Sequence, residues 1–382
     1  MQDTITSWTQ LAPLMKKYID KLEFIESPRY IFFGPKALDK TPLILKSLEI
    51  KGTILIITGG TNTSKIAERL ADRLDDEGWK YDIQKVATKM PKTKDIENLV
   101  EKGKNIHPEI LIGVGGGRVL DVTKLTAAWL GLKYLSAPTS ASHDGVASPC
   151  INFLLSRQIE STKGPEWAIA EAPFAIIADT EIIKNAPPET FKAGFGDLVS
   201  KITAVKDWEL ASKLRAERYS EYAASMAILS AKIVMDHASE VRPGFEESAR
   251  IVVKALIGSG VAISIAGSSR PASGSEHLFS HALDILAEEK GYKNTHHGIQ
   301  VALGTIMMAD LQGQDWKKIR EKLVEAGVPV TAEEAGLDRE AVIEALTIAH
   351  KVRDRFTILG TIGLTETAAR KLAERTGIIS TI

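Results

Sequence analysis

Cysteine is almost missing from this chain: Cys150 is the only one in 382 residues. That rules out an intrachain disulfide and any zinc site built on thiolates. Net positive charge is missing too. The formal balance is -1, which leaves nucleic acid without an electrostatic footprint. No apolar run approaches the roughly 20 residues of a membrane span. The first residues, MQDTITSWTQLAPLMKKYID, lack the basic start, apolar core and small-residue cleavage site of a signal peptide. They read as an amphipathic helix packed on the body, and the protein is expected in the cytoplasm. The HExxH metal motif is also missing; its nearest approach, EHLFSH, is a different arrangement. A bound metal would therefore take His, Asp or Glu ligands.

What remains is a globular composition, 44% hydrophobic and 25% charged, long enough for two domains. The most informative stretch is EILIGVGGGRVLDVTK, from Glu109 to Lys124. Ile110 to Val114 has the length and branching of a buried strand. Gly115, Gly116 and Gly117 break it, and helical spacing resumes at Val119, Leu120, Val122 and Leu125. A strand that turns on glycines into a helix presents bare N–H groups and a positive dipole end, which favour a phosphate.

Strand and helix signals alternate through the first half. Strands are expected at 30–33, 53–58, 81–86, 110–114, 133–137, 151–155 and 174–178, with helices at 37–48, 64–78 and 93–104 and after Gly117. This predicts a parallel sheet with right-handed crossovers. The glycines follow the fourth strand rather than the first, and no acid lies about 20 residues downstream, so the fold is a variant of the usual dinucleotide unit. NADP is then as admissible as NAD. Next comes LSAPTSASHDGVASP, rich in hydroxyls. It can hold a dinucleotide, or it can be a polar turn.

Past Pro187 and Pro188 strand signals stop and helical periodicity takes over, placing a domain boundary near residue 186. A helix is expected at 197–213, with Asp197 in its first turn. Five of the eight histidines lie between His237 and His297. GSEHLFSHALD puts His277 and His281 on one helix face, and KNTHHGIQ puts His296 and His297 at the start of another helix. Two imidazoles and one carboxylate suit an open divalent site, most often zinc. The residues alone do not separate His296 from His297.

As a set, GVGGGRVLDVTK, APTSASHDGVASP, GFGDLVSK, SRPASGSEHLFSHALD and HHGIQVALG, in this order, resemble the archaeal-type sn-glycerol-1-phosphate dehydrogenases. These belong to the metal-dependent polyol dehydrogenases that include glycerol dehydrogenase and dehydroquinate synthase. The resemblance runs from about Pro28 to Ile379. It implies an α/β class: a Rossmann-like parallel-sheet domain with the N-terminal helix, 1–186, then an all-α metal- and substrate-binding domain, 187–382. It implies an active site in the cleft between them.

By position, the resemblance assigns Gly116, Gly117, Arg118, Val119, Leu120 and Asp121 to the cofactor, with Thr139, Ser140, Ala141, Ser142 and Ser148. It assigns Asp197, His277 and His297 to one divalent metal, expected to be zinc. Asp144 and His281 match its substrate-contacting and catalytic positions, with Asp197 beside them. The implied reaction is NAD(P)H-dependent reduction of dihydroxyacetone phosphate to sn-glycerol 1-phosphate, the first step toward archaeal ether lipids. A homo-oligomer is expected. Lys201, Arg270 and Lys293 are candidate partners for the substrate phosphate, each weighed against a solvated surface charge. The rival readings are a sister polyol dehydrogenase, a lyase of the dehydroquinate synthase kind, and a scaffold without activity.

Overall fold

The computed structural model describes residues 25–86 and 91–381. The helix expected before residue 25 lies outside them. Two compact units are present. One takes the chain to Ser140 and again Gly145–Ala186; the other takes Ala141–Asp144 and the chain from Pro187.

The first unit is a parallel sheet of β1 (Tyr30–Gly34), β2 (Ile54–Thr58), β3 (Tyr81–Lys85), β4 (Ile110–Gly115), β5 (Tyr134–Pro138) and β6 (Ala175–Asp179). Its spatial order is β1-β6-β5-β4-β2-β3. The helices are α1 (Thr41–Ser47), α2 (Thr61–Asp75), α3 (Thr93–Ile106), α4 (Gly117–Leu130), α5 (Phe153–Thr162) and α6 (Thr180–Lys184). Every residue of β2 and β4 is buried, as expected of strands covered on both faces. Alternation along β2 divides the core. Ile54 and Ile56 pack with Leu70 and Leu74 of α2, while Leu55 and Ile57 pack with Leu99 of α3 and Val122 and Leu125 of α4. Each such buried side chain contributes about 1.5–3 kcal/mol.

One strand expectation fails. Residues 151–155 do not extend; Asn152 caps α5 by accepting from the N–H groups of Leu154 and Leu155. A short apolar run cannot be told from a helix start by its hydrophobicity, and the cap decides it.

The second unit is helical: α7 (Pro188–Val199), α8 (Lys201–Arg215), α9 (Glu221–Asp236), α10 (Glu246–Ala266), α11 (Ser275–Lys290), α12 (His297–Leu311), α13 (Trp316–Glu325), α14 (Arg339–Ile348) and α15 (Glu366–Arg375). The helix expected at 197–213 is in fact two. Asp197 sits in the last turn of α7, not the first turn of α8, because Pro188 at the head of α7 starts that helix nine residues earlier. The apolar period crosses the single junction residue Ser200 without a break, which hides the joint in the sequence.

The α10 helix corrects another expectation. Its 21 residues, with a window of mean hydropathy 1.7, are long and apolar enough to cross a membrane, yet 61% of that window is buried inside the fold. Burial of that kind is the pattern of a core helix.

The α7 and α12 helices touch backbone to backbone. A Cβ on Gly196 would lie 2.3 Å from the Gly298 carbonyl oxygen, and one on Gly298 would lie 1.9 Å from that of Ala193. These glycines leave no open space beside Asp197 and His297. They let two helices close until those side chains meet.

Candidate metal centre and cofactor turn

In the first unit, β4 and β5 pair in parallel with Gly115 opposite Pro138. The glycine turn and the hydroxyl-rich segment therefore leave the sheet side by side. The Thr139 N–H donates to the Gly115 carbonyl at 3.0 Å. Gly116 is the N-cap of α4 and supplies no capping side chain, so the first amides of the helix are left to an anion. On the other side, β2 pairs with β4, and chain order reverses between them, the usual place for a ligand in such a sheet.

Of the residues matched to the cofactor, Gly116, Gly117 and Arg118 lie on this turn with Thr139 and Ser140 beside it. Val119 and Leu120 are buried in the core and can offer only backbone. Asp121 is also buried; it accepts from Asn152 N at 3.0 Å, and Lys124 reaches both it and the Cys150 carbonyl. These bonds pin the end of the hydroxyl-rich segment. Ser148 is fully buried. Ala141 and Ser142 belong to the second unit, where the Ala141 carbonyl packs on Gly194.

A Cβ on Gly116 would meet only Ser140 Oγ, at 3.4 Å, and its φ of -77° suits any residue. Gly116→Ala should therefore leave thermal stability unchanged while weakening NAD(P)H binding about tenfold, roughly 1.4 kcal/mol, because the new methyl stands where a phosphate must approach. Cofactor fluorescence titration checks it; unchanged affinity would place the cofactor elsewhere.

In the second unit, Asp197 (α7), His277 (α11) and His297 (α12) bring one ligand atom each to within 4.8 Å of one another. His277 Nε2 is 3.5 Å from Asp197 Oδ1, and the His277 and His297 rings lie 5.0 Å apart. His281 stacks on His297 at 5.7 Å. His296, whose side chain the sequence could not set aside, is exposed as the N-cap of α12.

The donor chemistry fits a divalent cation. His277 Nδ1 lies 2.8 Å from Glu276 Oε1, an oxygen that can only accept, so Nδ1 carries the proton and Nε2 faces Asp197. His297 Nδ1 is engaged by Ser280 Oγ at 2.9 Å. Burial first, then neighbouring His277, push the His297 imidazole down to about 3, which keeps it neutral and its lone pair available. Burial and His297 likewise hold His281 well below the ordinary histidine range.

Lys201 is wholly buried between carboxylates. Its Nζ is 2.9 Å from Asp144 Oδ2 and 3.0 Å from Asp197 Oδ1. The alternative of a solvated surface charge is therefore wrong for Lys201. It fails for Arg270 as well, a buried guanidinium paired with Glu217. Only Lys293 is exposed. Burial works against the charges, but the mutual pull of Lys201 and its two partners dominates. The Lys201 amine stays above its ordinary value, and the Asp197 carboxyl far below the carboxylate range. Asp144 is held twice more, by Ser259 Oγ donating to Oδ2 at 2.8 Å and by its own N–H donating to Asp197 Oδ2 at 3.0 Å. Asp144 and Asp197 thus share a single ammonium, a balance that favours a further cation. Ser259 and Glu276 were missed in the sequence. Glu276 adjoins a histidine and was within reach of inspection; Ser259, 115 residues from Asp144, carried no signal.

Comparison with known proteins agrees with this frame. A family model described as iron-containing alcohol dehydrogenase matches residues 32–187. The glycerol-1-phosphate dehydrogenase (NAD(P)+) of Korarchaeum cryptofilum is 62% identical over 317 residues, covering 83% of this chain and 99% of that protein. The chain belongs to the glycerol-1-phosphate dehydrogenase family. The Methanosarcina mazei member is 44% identical, covering 96% of this chain and 100% of its own. Among solved structures, glycerol dehydrogenase from Schizosaccharomyces pombe superposes with a TM-score of 0.69 over 94% of each chain at 20% identity, which speaks to fold alone. The sequence expectation of a Rossmann-like α/β domain followed by a helical one is borne out.

Proposed function

We propose that this protein reduces dihydroxyacetone phosphate to sn-glycerol 1-phosphate in the cytoplasm, using NADH or NADPH and one divalent metal, zinc. The observation that carries the reading is the convergence of Asp197, His277 and His297 from three helices, in a chain 62% identical to a glycerol-1-phosphate dehydrogenase. The bound ion supplies Lewis-acid polarisation of the ketone carbonyl, and the reduced nicotinamide supplies the hydride.

The chain's own residues do the rest. Gly116, Gly117 and Arg118 hold the pyrophosphate at the α4 N-terminus, with backbone of Val119 and Leu120 behind them. Thr139, Ser140 and Ser142 supply hydroxyls along the cofactor, Ala141 its backbone, and Ser148 backs the segment from within the fold. Asp121 keeps that segment in place from beneath. Asp144 orients the substrate: Lys201 and Ser259 both engage Oδ2, which leaves Oδ1 to accept from a substrate hydroxyl. His281, neutral and buried beside His297, offers an uncharged contact for the substrate and a path for the proton that the new hydroxyl needs.

A steady-state assay with each reduced cofactor, followed by chiral analysis, tests the proposal. Dihydroxyacetone phosphate should exceed dihydroxyacetone in kcat/KM by at least ~100-fold, since a site built for a charged group rejects the analogue lacking it. The product should be the sn-1 enantiomer. An sn-3 product, a preference for the unphosphorylated ketone, or no net oxidation of the cofactor would refute it; the last outcome would favour a lyase.

A further inference from the structure

We propose that Asp284, Gln300 and Ser280 form a positioning chain that places the proton of His297 on Nδ1 and so leaves its Nε2 lone pair for the cation. The inference rests on the metal-dependent reading above and deepens it. Two sets of ligand atoms gather within 4.8 Å: Asp197, His277 and His297, and also His281, Asp284 and His297. Both need His297, and a neutral imidazole has one lone pair to give.

The chain of logic starts at Asp284. Its ionised carboxylate can only accept. Oδ1 takes the Asn294 side-chain amide at 2.9 Å and the Gln300 amide at 3.2 Å. Asn294 Oδ1 accepts from Thr295 N at 2.8 Å and from Gln300 Nε2 as well. With two acceptors on that side, Gln300 must present its nitrogen there and its Oε1 to Ser280, 2.5 Å away. An amide oxygen only accepts, so the Ser280 hydroxyl hydrogen points to Gln300. Ser280 Oγ then has only lone pairs for His297 Nδ1 at 2.9 Å, and Nδ1 must hold the proton. The lone pair is left on Nε2.

Ser280 and Gln300 are both wholly buried, so water does not compete for these bonds. Polarity thus runs from Asp284 to His297 across three side chains. None of the three positioning residues belongs to the Asp197, His277 and His297 set.

The test is Zn2+ affinity by chelator competition, using full-length protein stripped of metal. Ser280→Ala removes the group that accepts the Nδ1 proton of His297. Gln300→Met keeps the bulk and cuts the chain. Both variants should bind Zn2+ about 10–100-fold more weakly, with NADH affinity and the melting temperature of the metal-free protein unchanged. Nitrogen resonances of labelled histidine in metal-free parent should show His297 protonated at Nδ1, a signature that mere packing would not fix. Variants within threefold of the parent would overturn the proposal, as would a loss that only follows a fall in melting temperature. Loss in Ser280→Ala with none in Gln300→Met would show that Ser280 acts without the chain and also overturn it. A parent that binds no Zn2+ would overturn the reading beneath it too; a parent that binds, with unaffected variants, would overturn this inference alone.

Discussion

Replacing His297 with alanine is expected to strip the protein of its metal and lower kcat/KM by at least about a thousandfold, while NAD(P)H still binds. The size follows from the several kcal/mol that Lewis-acid stabilisation contributes, each 1.36 kcal/mol being tenfold in rate. His297 is the first residue of α12, and Asp197 and His277 meet its ring from two other helices. Removing one of three protein ligands leaves two, too few for a stable site. The cofactor turn belongs to the other compact unit, so its fluorescence titration should be unaffected. Metal analysis, steady-state kinetics and cofactor titration of one preparation decide the matter. A variant with a full complement of metal would remove His297 from the centre.

The second large effect is on stability. Lys201→Met keeps roughly the length of the stem and removes the ammonium. Asp144 and Asp197 would then face each other at Lys201's fully buried position with no intervening charge. Breaking a buried ion pair on one side costs about 3–5 kcal/mol, because the remaining charge stays desolvated. For a unit of this size that corresponds to a fall of roughly 6–20 °C in melting temperature. The loss should be greatest in metal-free protein and smaller when Zn2+ is present, since a cation on Asp197 restores part of the missing charge. Calorimetry with and without Zn2+ measures both. A variant as stable as the parent in both states would show that Lys201 is not the charge holding this cluster.

The same residues show what was legible beforehand. The strand Ile110–Gly115 and the glycine turn follow from apolar length and branching, which depend only on local sequence. The helical half was legible because its periodicity is long. The metal residues were legible only as a matched set: His277 and His281 share a helix face, yet nothing local says which of them joins His297, and His296 has the same chemistry as its neighbour. The closure of α7 on α12 at Gly196 and Gly298, which brings Asp197 and His297 together, is a contact across about a hundred residues and leaves no local signal. The joint at Ser200 and the strand expected at 151–155 were misread for a related reason. Hydrophobic spacing is continuous there, and single capping or junction residues decide the outcome. The burial of Lys201 was hidden because a lysine four residues after an aspartate is as common on a wet helix surface as in a core.

The central claim is that three side chains, Asp197, His277 and His297, grip one divalent ion. Anomalous scattering at the zinc edge, from crystals of the metal-loaded protein, tests it most directly. The account predicts a single strong peak within bonding distance of Asp197 and of the Nε2 atoms of both histidines; a peak on His281 and Asp284 instead, or no peak among these residues, would contradict it.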